Sequence, residues 1–210
     1  ARRLPAIVLT FGHGGSKSQW QYNYAGQLYA RMGLACLALD PIGEEERHHQ
    51  GRLGTRAHDP KPVSDRADRA GRLIMGKLVF DTMRGIDFLL ERDDVDPDRI
   101  GCTGLSGGGW RTDVLAALDR RIAASVSVGW MTTGDYQQVY NLAGAVGTFC
   151  LLPGVWDRLD IPDLTVMAAP GASMVVSGTE DRLFPIEGQR EAARHIRRGY
   201  AWAGCAESFR

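Results

Sequence analysis

Five short apolar runs, at residues 6–11 (AIVLTF), 34–39 (LACLAL), 100–103 (IGCT, continuing toward Leu105), 122–128 (IAASVSV) and 173–177 (SMVVS), narrow the available folds more than any other feature of this chain. They are nearly continuous in apolar residues rather than alternating. A strand buried on both faces has this pattern, and such strands belong to parallel sheets covered by helices. Between 73 and 91, Met75, Leu78, Val79, Met83, Ile86 and Leu90 recur at three- and four-residue steps, which predicts an amphipathic helix packed on the sheet. Further helical runs are read at 110–118 and 187–200. Pro97 and the aspartates of DDVDPDRI mark a turn ahead of the third strand. Strands and helices that alternate through right-handed crossovers predict an α/β class: three layers around a doubly wound, mostly parallel sheet.

With 210 residues, 44% of them hydrophobic, the chain is read as one domain, 1–210, long enough for a substantial core. Its 25 Lys and Arg balance 25 Asp and Glu, so nothing suggests the basic surface that nucleic acid or an acidic membrane requires. A small molecule is the expected partner. No apolar run approaches the roughly 20 residues that cross a bilayer. The opening ARRLPAIVLTF lacks a complete signal pattern, which leaves the compartment open. Cys36 and Cys102 lie in apolar runs and read as small hydrophobes, whereas Cys150 and Cys205 are either free or bridged.

Two regions interrupt the alternation. Residues 41–72 are polar and charged and are expected to form a surface excursion, with EEER at 44–47 and HH at 48–49 solvated. No three ligands with metal spacing are visible there, so no metal is expected. Residues 130–170 are rich in aromatics and glycine and are expected to cover the carboxyl ends of the strands, where open parallel sheets bind ligands. Trp130, Tyr136, Tyr140, Phe149 and Trp156 either line that cover or form an aromatic core patch.

Gly104-Leu105-Ser106-Gly107-Gly108 follows a predicted strand and precedes a predicted helix. In a G-x-S-x-G turn, small neighbours let the backbone fold sharply enough to project the serine hydroxyl, and the next helix aims its N–H groups at the same place. Ser106 is the candidate nucleophile. The competing reading, a nucleotide-binding turn, lacks both G-x-G-x-x-G and the P-loop lysine. An acyl-transfer serine needs two backbone donors for the oxyanion. Gly107 is the first candidate, and Gly15, or failing that Gly14, of Phe11-Gly-His-Gly-Gly15 is the second. His13 is read as a loop-fixing residue rather than a base. Asp181, after the fifth strand in GTEDRLFP, is the candidate acid that orients a histidine, with Glu180 and Asp135 as substitutes and helix capping as the competing role.

Together FGHGG, GLSGG and GTEDRLFP resemble the α/β-hydrolase superfamily over residues 5–200, in the branch of acetyl xylan esterases, cephalosporin-C-deacetylase-like enzymes and dienelactone-hydrolase-like proteins. The resemblance implies the α/β-hydrolase fold, a triad in the order Ser, Asp, His, an acyl-enzyme, a small ester or acylated carbohydrate as substrate, and no cofactor. A prolyl-oligopeptidase-type peptidase, which shares the core, and a non-catalytic relative are the alternatives. One member of the triad is unmatched. Of His13, His48, His49, His58 and His195, only His195 follows Asp181, and it lies about 12 Å along a predicted helix leading away from the strand ends. A base must come within about 3 Å of its proton donor. The histidine is therefore expected beyond Arg210. The chain is expected to be an internal portion of a longer hydrolase, missing the first strands and the last strand, with little esterase turnover alone.

Overall fold

The computed structural model describes residues 2–51, 53, 67–136, 152 and 154–210, with the backbone alone in 67–74. Five strands, β1 (Leu4–Thr10), β2 (Ala35–Ala38), β3 (Val95–Leu105), β4 (Ile122–Val128) and β5 (Ala172–Val176), form one sheet in the order β2-β1-β3-β4-β5, every pair parallel. Five α-helices are described: α1 (Trp20–Arg31), α2 (Ala67–Leu90), α3 (Gly107–Leu118), α4 (Ile161–Met167) and α5 (Ile186–Trp202). At the outer edge of β5, the Arg210 N–H donates to the Ser173 carbonyl at 3.0 Å and the Val175 N–H to the Arg210 carbonyl at 3.0 Å, so the last residues run parallel to that strand.

Successive side chains of a strand point to opposite faces, which assigns the layers. Cys36 and Leu9 face Gly26 of α1, whereas Leu37 faces Gly85 of α2. The two helices thus lie on opposite sides, and α2, α3, α4 and α5 follow one another across the second face. Val8, Ile86, Ile100, Trp110, Leu115 and Ile196 fill the core between them. From β1 the chain moves outward to β2, and from β3 it moves the other way to β4. The carboxyl ends of β1 and β3 therefore form the point where the winding reverses, a crevice in which open sheets bind ligands.

β4 occupies the expected residues, but β3 starts at Val95, ahead of the apolar run. Leu4 pairs with Val95 and Ala6 with Ile100, so residues 96–99, with Pro97, bulge out of the ladder and combine the expected turn with a strand. α2 begins at Ala67, six residues before the first clear apolar step.

One expectation is corrected. The 41–51 stretch is not uniformly solvated: Glu44, Glu45 and His48 are 2%, 4% and 6% exposed, and Glu45 packs against Ser16 and Ser18 of the loop that follows β1. Of the two readings of the aromatics in 130–170, the core patch describes Trp130. Trp130, Met131 and Thr132 are buried in the core, where Trp130 stacks on Trp110 and tilts against Phe184, while α4 packs between α3 and α5. Tyr140, Phe149 and Cys150 lie outside the described residues. Cys36, Cys102 and Cys205 are free thiols. No described helix is long and apolar enough to cross a membrane, and no group of three or more His, Cys, Asp or Glu among the described residues is arranged to hold a metal.

Candidate active site

Ser106 stands between the end of β3 and the first residue of α3 with φ 57° and ψ −125°, a conformation that L-residues rarely adopt. Holding a non-glycine residue there costs about 1–3 kcal/mol, which the surroundings must offset. They do so with two backbone bonds: the Ser106 N–H donates to the Val128 carbonyl at 2.8 Å, and its carbonyl accepts from Trp110 N–H at 3.1 Å. The flanking glycines are required sterically. A Cβ on Gly104 would stand 2.4 Å from the Thr10 carbonyl oxygen, and one on Gly108 only 2.2 Å from the same atom. Among the described residues the Ser106 hydroxyl makes no hydrogen bond.

The Thr10 hydroxyl joins the two halves of this site. It shares its proton between the Thr103 carbonyl (3.1 Å) and the Gly108 carbonyl (2.7 Å) and lies 2.7 Å from the Thr112 hydroxyl. The end of β1 is thereby tied to the end of β3 and to the first turns of α3.

The loop after β1 folds back on itself. The Gly15 N–H donates to the Gly12 carbonyl at 2.9 Å, closing a turn in which Gly14 has φ 65°. The Gly15 donor is thus occupied within the loop. Gly12 N–H is bonded to the Tyr22 hydroxyl at 2.8 Å. The loop nitrogen set against the Ser106 turn is that of His13, which is 3.2 Å from the position a Cβ on Gly107 would take. The GHGG sequence signalled the loop, but not which of its N–H groups the turn would consume.

Asp181 follows β5, two strands along from β3, at the same carboxyl edge. Its Oδ1 accepts from the Leu183 N–H at 2.7 Å and the Phe184 N–H at 3.2 Å, and the Gln189 amide pins the loop by donating to the carbonyls of Gly178 (2.9 Å) and Phe184 (2.6 Å). Asp181 closes this turn and does not cap α5, whose N-cap is Pro185. Its Oδ2 accepts no hydrogen bond among the described residues. Glu180 and Asp135 are both exposed.

The described histidines are placed elsewhere. His195 Nε2 lies 2.5 Å from Asp163 Oδ1, and Asp163 also completes the capping box of α4. His48 Nδ1 accepts from the Gln50 N–H at 3.0 Å, and its ring stacks on His49 at 5.0 Å. The His13 side chain is exposed, and His58 lies outside the described residues. On α3, burial pulls the Arg111 guanidinium down to about 10, opposed by Tyr22 and Glu44, and pushes the Asp113 carboxyl up to about 7.

A parallel sheet in this order, wound from β1 outward in both directions with a strained serine leading into α3, has the α/β-hydrolase fold. Residues 1–150 match the acetyl xylan esterase (AXE1) family model, and the chain belongs to that family. It is 24% identical over 220 residues to YtaP of Bacillus subtilis (strain 168), described as a hydrolase, covering 98% of this chain and 70% of that protein. A crystal structure from Bacteroides fragilis NCTC 9343, described as an acetyl xylan esterase, superposes with a TM-score of 0.77 at 20% identity and covers the whole chain. The chain spans 59% of that protein's length. Acetyl xylan esterase 1 from Thermoanaerobacterium sp. JW/SL YS485 superposes at 0.59 with 19% identity, over 93% of this chain and 78% of its own.

Proposed function

We propose that this chain carries the nucleophile, the oxyanion donors and the acid of a serine hydrolase that cleaves carboxylic esters, with an acylated carbohydrate or other small acetyl-type ester as substrate. The observation that carries this reading is Ser106 itself, held at φ 57° between glycines that admit no Cβ and against a loop whose His13 nitrogen adjoins Gly107. Ser106 Oγ attacks the ester carbonyl carbon, a histidine takes the hydroxyl proton, and the C–O bond to the alcohol breaks as that proton is returned to the leaving oxygen. Water then adds to the acyl-serine by the same route in reverse roles. The N–H groups of Gly107 and His13 hold the oxyanion, and Asp181 Oδ2 orients the imidazole while Oδ1 stays with its own turn.

The proposed base is a histidine that completes the triad with Ser106 and Asp181; His195 is held by Asp163 and His48 by the Gln50 N–H. The family match and the acetyl xylan esterase relatives support an ester as substrate. Hydrolysis of p-nitrophenyl acetate by the protein, beside Ser106→Ala, tests the nucleophile: equal turnover by the two overturns it. Labelling of Ser106 by a fluorophosphonate in the full-length protein tests the hydrolase reading. Failure to label shifts it to a non-catalytic relative.

A further inference from the structure

Among the described residues, two that are not glycine have positive φ: Ser106, at 57°, and Glu45, at 47°. Strain of this kind persists where the surroundings over-determine it and gathers at functional sites. Glu45 opens the 3₁₀ turn Glu45–Arg47, beyond the carboxyl end of β2, and is 4% exposed. A carboxylate so deeply buried is costly unless hydrogen-bonded. Its Oε1 accepts from the Ser16 hydroxyl at 2.7 Å and from the Ser18 hydroxyl. Between these serines, the Lys17 N–H donates to Asp40 Oδ1 at 2.7 Å, and the Lys17 ammonium pairs with Asp40 and with Glu46 at 2.6 Å.

The hydrogen bonds on both sides of Glu45 form a continuous series. Behind it, Arg47 donates to the Asp40 carbonyl at 2.9 Å and pairs with Asp81 of α2, which anchors the turn to the body of the domain. Ahead of it, Ser16 immediately follows the turn from Gly12 to Gly15, and that turn sets His13 against Gly107. We propose that Glu45 is a positioning residue for the oxyanion loop: through Ser16 and Ser18 it fixes how far the loop after β1 stands from the nucleophile turn. This rests on the serine-hydrolase reading above. Reach and direction both follow from the strain. In the left-handed conformation the side chain turns inward to the serines, while its neighbour Glu46 remains exposed beside Lys17.

The test is steady-state hydrolysis of p-nitrophenyl acetate by the full-length protein. Glu45→Ala is expected to lower kcat by about 10- to 100-fold with KM within about twofold, because a displaced donor is felt in the transition state more than in binding. Glu45→Gln retains an acceptor oxygen for both serines and is expected to recover kcat to within about threefold of the parent, a rescue that loss of a buried charge alone does not explain. Should Glu45→Ala misfold, the Ser16→Ala/Ser18→Ala double variant, which leaves Glu45 in place, is expected to show the same loss confined to kcat. Unchanged kcat in the alanine variants, a change confined to KM, or Glu45→Gln as impaired as Glu45→Ala overturns the proposal. Equal turnover by Ser106→Ala and the parent marks the distinct failure of the hydrolase reading, and the role of Glu45 falls with it.

Discussion

Asp113 lies about two turns along α3 from Ser106 and is 2% exposed. Ser127 lies 2.9 Å from its Oδ2, and the Thr165 hydroxyl 3.3 Å from its Oδ1. Burial raises its carboxyl from 3.8 to about 7, against the pull of those two hydroxyls. The neutral acid suits the site: its O–H can donate to Ser127, which releases the Ser127 proton to the Trp130 carbonyl 3.3 Å away. Between about pH 4 and pH 7 the folded protein therefore keeps a proton that the unfolded chain has lost. The stabilisation is complete below about pH 4 and is lost as pH rises through 7. About three pKa units at about 1.4 kcal/mol each set a ceiling of about 4 kcal/mol, which relaxation around the ionised group reduces to about 1–3 kcal/mol. Asp113→Asn keeps the shape and an acceptor for Ser127 but cannot ionise. Urea unfolding of both proteins is expected to find the variant no more stable than the parent at pH 4.5, and more stable by about 1–3 kcal/mol at pH 8. A difference between the two proteins that is the same at both pH values, or that favours the parent more strongly at pH 8, refutes the assignment of a buried, proton-holding Asp113.

Two further outcomes bear on the nucleophile turn. Gly108→Ala puts a Cβ 2.2 Å from the Thr10 carbonyl oxygen, so the ends of β1 and α3 must separate; a loss of about 3 kcal/mol or more is expected in thermal unfolding, and a parental melting midpoint contradicts it. Ser106→Gly relieves the φ 57° strain that Ser106→Ala retains, so the glycine variant is expected to be about 1 kcal/mol more stable than the alanine variant although both lack the hydroxyl; equal denaturation midpoints show the turn to be unstrained.

The parallel sheet was legible because its strands are buried on both faces and so read as apolar runs; β4 appears at the residues expected of it. α1 was illegible for the converse reason. Trp20, Tyr24 and Leu28 are 74%, 64% and 44% exposed, so its large apolar residues do not mark a face turned to the core. Ser106 and Asp181 could be located from local turn chemistry, since glycine spacing and the Asp181 turn both act within a few residues. Glu45 could not. A run of charges normally signals solvent, and nothing local shows that Ser16 and Ser18, nearly thirty residues earlier, bond to one of its members. The motif around Gly15 locates a loop, but which of its N–H groups is consumed depends on a turn closing onto Gly12.

The Thr10 hydroxyl, bound at once to Thr103, Gly108 and Thr112, fastens the Ser106 turn to the root of the loop after β1. A displacement of the serine turn therefore carries the root of the neighbouring loop with it, so the spacing between the two is kept while their position wanders. The hydroxyl is thus a hinge pin near the middle of the sheet, holding the root of a loop whose far end Ser16 and Ser18 tie to Glu45.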